Sequence, residues 1–152
     1  MEMSYKEEMK LENQLCFPLY AAARSVTALY TPYLKPLGLT YTQYIVFLVL
    51  WEKDGIPVGE LGKRLILDSG TLSPLLKKMR QAGYIEKRQS AEDERSFLIS
   101  LTDKGRALQE QAREIPRNVG GCIALSHEKA AQLYQLLYEL LGHTNSNKPK
   151  GE

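Results

Sequence analysis

The sequence is poor in cysteine, histidine and tryptophan, with two Cys, two His and one Trp in 152 residues. Cys16 and Cys122 lie far apart and form no C-x-x-C pair, which excludes a disulfide-stapled scaffold and makes any bond between them conditional on an oxidant. Taken with His127 and His143 they match no structural zinc spacing, and His127 reads as an ordinary first-turn residue of a helix. No metal and no cofactor is expected. Long apolar runs are also missing: the longest, Tyr44 to Trp51, is too short to cross a bilayer. No basic, apolar and small-residue leader opens the chain, so the expectation is a cytoplasmic protein with no membrane contact. Nor does one charge sign dominate. Lys and Arg number 20 against 18 Asp and Glu, and a net charge of +2 does not by itself imply nucleic acid.

What is present is length for one domain with a real core, at a hydrophobic fraction of 43% that suits a globular protein. The positive charge is unevenly spread. Lys63, Arg64, Lys77, Lys78, Arg80, Lys87, Arg88 and Arg95 concentrate in the middle third, whereas Glu7, Glu8 and Glu139 lie toward the ends. Such a run is either a solvated helix face or a binding surface, and motif context decides between them.

Leu15, Leu19, Val26, Tyr30, Tyr33 and Leu34 recur at helical spacing, predicting a first helix over about 14–35 that stops at Pro36 and Gly38. Pro18 fits only the first turn, where N–H groups have no partner anyway, so the helix begins close to Cys16, with Asn13 as candidate N-cap. A thiol beside unpaired N–H groups and the positive helix end favours its reactive anion; the alternative is a small buried hydrophobe. Thr40 with Gln43 forms a capping box for an apolar helix over Tyr41 to Lys53. Val58 to Leu65 is a short helix, Asp68 caps another from Ser69 to Ala82, and Gly83 closes it. Ile85–Gln89 and Phe97–Leu101 flank a polar turn and predict a hairpin. Thr102 caps a helix from Asp103 to about Ile115, broken by Pro116 and loosened at Gly120-Gly121, and Ser126 caps a last helix to Leu141 that ends at Gly142. Thr144 to Glu152 reads as a disordered tail.

Helix, turn, helix and hairpin in this order describe a winged helix-turn-helix, mainly α with a small β-hairpin wing, over about residues 40–101. Leu61, Leu65, Leu72, Leu75, Leu76 and Met79 supply inward contacts for the reading helix, leaving Ser69, Thr71, Ser73, Lys77 and Lys78 outside. Small hydroxyl residues allow close approach to base edges and phosphates, and the lysines add backbone charge contacts. Arg95 at the hairpin tip suits a minor groove. Glu92, Asp93 and Glu94 beside it would repel phosphates, which a pairing of Asp93 with an arginine would resolve. The competing reading of residues 58–100 is a winged helix used for protein contacts only.

The segments Leu11-Glu12-Asn13-Gln14-Leu15-Cys16-Phe17, Leu39-Thr40-Tyr41-Thr42-Gln43-Tyr44, Leu67 to Lys77 and Asp93-Glu94-Arg95-Ser96 carry a resemblance. The chain resembles the MarR family of winged-helix repressors and, within it, the organic-hydroperoxide-sensing OhrR group, over nearly its whole length; Pro18 departs from the group's pattern. The resemblance implies a single-domain homodimer held by helices at about 10–38 and 103–142, reading double-stranded, pseudo-palindromic operator DNA and releasing it on contact with organic hydroperoxide. It implies that Cys16 is the redox sensor, oriented by Tyr30 and Tyr41 across the dimer boundary, with Tyr20 able to join the pocket. Cys122 matches the two-cysteine type, in which it condenses with oxidised Cys16 of the other subunit; otherwise Cys122 packs in the core and a small-molecule thiol takes its place. Asp68, Arg88 and Asp93 join the outward residues as DNA-binding positions. The rival functions are a MarR-type regulator induced by a small aromatic ligand, and a thiol peroxidase turning over at Cys16.

Overall fold

The computed structural model describes residues 4–146. It divides into two compact units, one up to Val119 and one from Gly120 onward.

The first unit opens with a short helix α1 (Tyr5–Glu8) and a 3₁₀ turn at Leu11–Asn13, neither of which the apolar periodicity signals. The expected first helix is broken. Helix α2 runs Cys16–Ala28 and α3 Thr31–Leu34, followed by a 3₁₀ turn at Lys35–Leu37. The cause is Pro32: its ring would clash with the carbonyl four residues back, at Ala28, and that is where α2 ends. Asn13 is not the N-cap; its amide donates to the Glu7 carbonyl at 2.6 Å, and Leu15 occupies the cap without a side-chain bond.

Helix α4 (Tyr41–Glu52) begins with the expected capping box, Thr40 Oγ1 accepting from Gln43 N–H at 3.2 Å and Gln43 Oε1 from Thr40 N–H at 3.0 Å. It buries Tyr44, Val46, Phe47, Val49 and Leu50 and leaves Leu48 exposed. A two-residue strand β1 (Ile56–Pro57) leads into α5 (Val58–Leu65), and α6 (Ser69–Gln81) follows after a turn in which Ile66 takes a left-handed conformation, φ 55°. Gly83, at φ 78°, ends α6 as expected. Strands β2 (Ile85–Gln89) and β3 (Phe97–Leu101) pair antiparallel with Lys87 opposite Ile99, and β1 adds to the far side of β3, giving the order β1-β3-β2. Ile56, Ile85, Ile99 and Leu101 face inward onto Leu61, Leu72 and Met79 in one hydrophobic cluster.

Thr102 caps α7 (Asp103–Ala112), its hydroxyl accepting from Gly105 N–H at 3.2 Å. The helix stops short of the expected Ile115, since Pro116 again excludes the carbonyl four back, Ala112, and sits instead in the first turn of α8 (Ile115–Gly120). In the second unit Ser126 caps α9 (His127–Ser146), accepting from Lys129 N–H at 3.3 Å. Gly142 does not end it: the helix continues to Ser146, including Thr144 of the expected tail. The remainder of that tail, from residue 147, and the side chain of His143 lie outside the described residues.

Candidate sensor and nucleic-acid interface

Cys16 is the first residue of α2 and is exposed, with Pro18 in the same turn. Pro18 removes a donor that would have been orphaned in any case. Access to solvent meets the first requirement of a sulfur that must react with a peroxide. Tyr20, one turn on, is not enclosed with it: the side chain is 60% exposed and lies under the Arg24 guanidinium, 5.4 Å from carbon to ring centroid. Cys122 is exposed in the turn after α8, not packed in a core. Among the described residues no group of three or more Cys, His, Asp and Glu could hold a metal.

Tyr30 and Tyr41 are brought together, although eleven positions apart in sequence, because α3 and its 3₁₀ turn fold the chain back on itself before α4. Their rings meet edge to face, centroids 4.8 Å apart at 61°. Tyr44 completes the cluster at 5.6 Å from Tyr30 and 6.4 Å from Tyr41. It is 2% exposed, and burial first, then its two tyrosine neighbours, push its hydroxyl up to about 12. Burial and then Tyr30 raise Tyr41 as well. These hydroxyls therefore stay protonated and remain hydrogen-bond donors, the form that stabilises a sulfur anion. At 1.5 Å per residue, Cys16 stands about 18 Å from Ala28 along α2. Within one chain Cys16 opens that helix and Tyr30 follows its end. Tyr44 is not among the sensor residues the sequence points to; its place three residues after Tyr41, on the same face of α4, is the signal for it.

In the nucleic-acid lobe, Asp68 Oδ1 accepts from Thr71 N–H at 2.8 Å and fixes the start of α6. Leu72, Leu76 and Met79 turn inward, and Ser69, Thr71, Ser73, Lys77 and Lys78 are exposed, the division expected of a reading helix. Between α6 and the hairpin lies a cleft of about 130 Å³ lined by Lys77, Arg80 and Lys87 over Val58, Ile85 and Ile99. Arg80 and Lys87, which the sequence marks only as basic, thereby sit with Lys77 on one surface.

At the wing tip, the expected pairing of Asp93 with an arginine is not what holds the turn. Among the described residues Asp93 makes no ion pair; its carboxylate accepts from the Arg95 backbone N–H at 2.9 Å, and its carbonyl from Ser96 N–H at 2.9 Å. A short turn between paired strands leaves backbone donors near the carboxylate, and they satisfy it locally. Gln89 Nε2 reaches the Glu94 carbonyl at 2.6 Å, and Arg95 is exposed at the tip. Arg88 pairs with Glu86 on its own strand while remaining largely exposed, and Lys87 Nζ stands 4.3 Å from the Phe97 ring centroid.

The chain is similar to known regulators throughout. The family model described as transcriptional regulator SarA/Rot matches residues 28–112. The organic hydroperoxide resistance transcriptional regulator of Bacillus subtilis (strain 168) is 50% identical over 135 residues, covering 89% of this chain and 92% of the relative. Among solved structures, reduced AbfR bound to DNA is 34% identical with a TM-score of 0.74, covering 92% of this chain and 97% of that one. Disulfide-formed AbfR, also 34% identical, has a TM-score of 0.64 and covers 92% and 96%; AbfR is a protein of Staphylococcus epidermidis. A mostly helical chain with a three-stranded wing, an exposed cysteine at a helix start and this set of relatives belongs to the MarR family of winged-helix transcriptional regulators, in its organic-hydroperoxide-sensing group.

Proposed function

We propose that this regulator is a homodimeric repressor whose reduced form occupies a pseudo-palindromic operator and whose release is triggered by oxidation of Cys16. The Cys16 thiolate takes the terminal oxygen of an organic hydroperoxide; the O–O bond breaks, the alcohol leaves, and a sulfenate remains. Once protonated, it condenses with the Cys122 thiol of the other subunit, forming the disulfide and expelling water. Tyr30 and Tyr41 donate hydrogen bonds to the sulfur as anion and sulfenate. Cys16 opens α2 and Tyr30 follows its end, and the reading has each tyrosine pair serve the Cys16 of the other subunit.

The observation that carries the proposal is the exposed Cys16 at the start of α2 on the same chain as a winged helix-turn-helix whose reading face is free of acidic side chains between Ser69 and Arg80. Dimerisation is supported by apolar side chains left in water, Leu15, Phe17 and Leu19 on and before α2, and Leu133, Tyr134, Leu136 and Tyr138 on α9, each at least 39% exposed. Release follows when the disulfide shifts the two reading helices off successive major grooves, about 34 Å apart in B-DNA. Clearing a nearly full operator requires several kcal/mol weaker binding by the oxidised form.

The test is operator binding before and after one equivalent of cumene hydroperoxide, with a non-reducing gel of the same samples. Loss of binding with a covalent dimer that requires both Cys16 and Cys122 is the expected result. Loss without a dimer replaces Cys122 by a small-molecule thiol or by the sulfenate itself. Unchanged binding refutes the redox reading in favour of a ligand-induced regulator.

A further inference from the structure

We propose that Trp51 is the positioning residue that carries the state of the sensor tyrosines to the wing, by joining an aromatic ridge on α4 to the first turn of α7; this rests on the reading of Cys16 as the oxidised group held by Tyr30 and Tyr41. Tyr41, Tyr44, Phe47 and Trp51 recur at intervals of three, three and four residues and so share one face of α4, about 15 Å from end to end at 1.5 Å per residue. Their rings are in contact along that face. The tyrosine pair packs on Tyr44, which meets Trp51 edge to face with centroids 6.4 Å apart at 67°. Trp51 in turn stacks on Phe47, 5.1 Å away at 19°, and Phe47 stands edge to face with Tyr84, the residue before β2, at 5.4 Å and 76°.

The other edge of the Trp51 ring is fixed to a different part of the chain. Its Nε1–H donates to the Gly105 carbonyl at 3.1 Å, in the first turn of α7. Gly105 lies directly on the Tyr84 backbone, where a Cβ would stand 2.3 Å from the carbonyl oxygen, and that oxygen accepts from Thr102 N–H, just after β3, at 3.0 Å. The start of α7 and the bases of β2 and β3 therefore form one block, and Trp51 holds it by a directional bond while packing on the ridge. Tryptophan alone combines so large an apolar plate with a single donor at its rim. When the Cys16 sulfur of the other subunit leaves for Cys122, the tyrosine hydroxyls lose their acceptor and the pair shifts. A close-packed row of rings passes such a shift on rather than absorbing it, so Trp51 moves and draws the block, with the wing, after it.

The discriminating experiment measures operator affinity of the full-length protein, reduced and after one equivalent of cumene hydroperoxide, in wild type and Trp51→Phe. Phenylalanine keeps a ring on the ridge and removes the donor. The expected result is that the ratio of reduced to oxidised affinity falls about fivefold in Trp51→Phe, the worth of one ordinary hydrogen bond. Reduced-form affinity and the rate of Cys16 oxidation stay within about twofold, since Trp51 lies on neither α6 nor α2. An unchanged ratio overturns the proposal, and so does an equal loss of affinity in both forms, which would make Trp51 a general support of the lobe. A second readout needs no variant of Trp51: it is the only tryptophan in the chain, so its emission should change when wild-type Cys16 is oxidised and stay constant in peroxide-treated Cys16→Ser. Unchanged emission at complete Cys16 oxidation overturns the proposal even if Trp51→Phe fails to fold. Wild type that keeps its operator affinity with Cys16 fully oxidised overturns the sensor reading itself, and the role of Trp51 with it.

Discussion

Replacing Gly105 by Ala sets two physical effects of opposite sign against each other. Gly105 lies in the first turn of α7, and by helix propensity alone alanine there stabilises by up to about 1 kcal/mol. The packing opposes this. A Cβ at Gly105 would stand 2.3 Å from the Tyr84 carbonyl oxygen, 3.3 Å from its carbon and 3.1 Å from Leu101 Cδ2. An ordinary contact needs well over 3 Å, so α7 must lift by about 1 Å, a distance on which packed atoms forfeit much of their attraction. Tyr84 cannot give way, because its carbonyl accepts from Thr102 N–H and its N–H donates to the Met79 carbonyl, both at 3.0 Å. A lifted α7 also strains the bond from Trp51 Nε1 to the Gly105 carbonyl, now 3.1 Å. Overpacking of this kind costs about 1–3 kcal/mol and a weakened hydrogen bond about 0.5–1.5. Less the propensity gain, the net loss is about 2 kcal/mol, or roughly 4–8 °C in Tm for a chain of this size. Urea unfolding of Gly105→Ala measures it. Gly59→Ala in α5, where a Cβ meets nothing within 4 Å, serves as the control expected to be neutral or stabilising. A Gly105→Ala protein as stable as wild type would refute the reasoning.

On the DNA side, Lys77→Ala should weaken operator and non-specific binding alike and lower the slope of log K against log salt by about 0.9, as one phosphate contact is lost; a change confined to the operator would make Lys77 a base reader instead. At high pH, the raised hydroxyls of Tyr44 and Tyr41 make stability fall. The unfolded chain releases these protons near pH 10 but folded Tyr44 holds its proton to about 12, so their contribution is complete below 10 and is lost as pH rises toward 12. In Tyr44→Phe the stability curve measured over that interval should be flatter, and an unaltered decline would reject Tyr44 as its source.

The elements legible in the sequence are those whose causes are local. Thr40 with Gln43, Asp68, Thr102 and Ser126 each satisfy backbone donors within three residues, so four helix starts are written in adjacent side chains. The hairpin is equally readable, since Ile85–Gln89 and Phe97–Leu101 flank one polar turn. The two helices that periodicity predicts over 14–35 and 103–115 are both shorter for one reason: Pro32 and Pro116 exclude the carbonyl four residues back, and the helices end at Ala28 and Ala112. The rule does not hold at every proline, since α6 continues through Pro74, and the residues alone do not say which proline breaks a helix. Strand β1 could not be read this way, because two residues carry no pattern and Ile56–Pro57 is a strand only by pairing with β3.

By itself, then, the sequence determined the winged helix-turn-helix and its inward and outward residues, because periodicity, capping and turn chemistry act over a few positions. Through its motifs it also singled out Cys16 as the place to look for redox chemistry. Only the tertiary structure decided that Tyr44 joins Tyr30 and Tyr41, that Asp93 serves the backbone rather than a guanidinium, and that Trp51 donates to the Gly105 carbonyl. The physical reason is the same in all three. A polar or aromatic side chain takes the partner that the folded chain brings within reach, and that partner is set by how helices and turns pack, which no short stretch of sequence encodes.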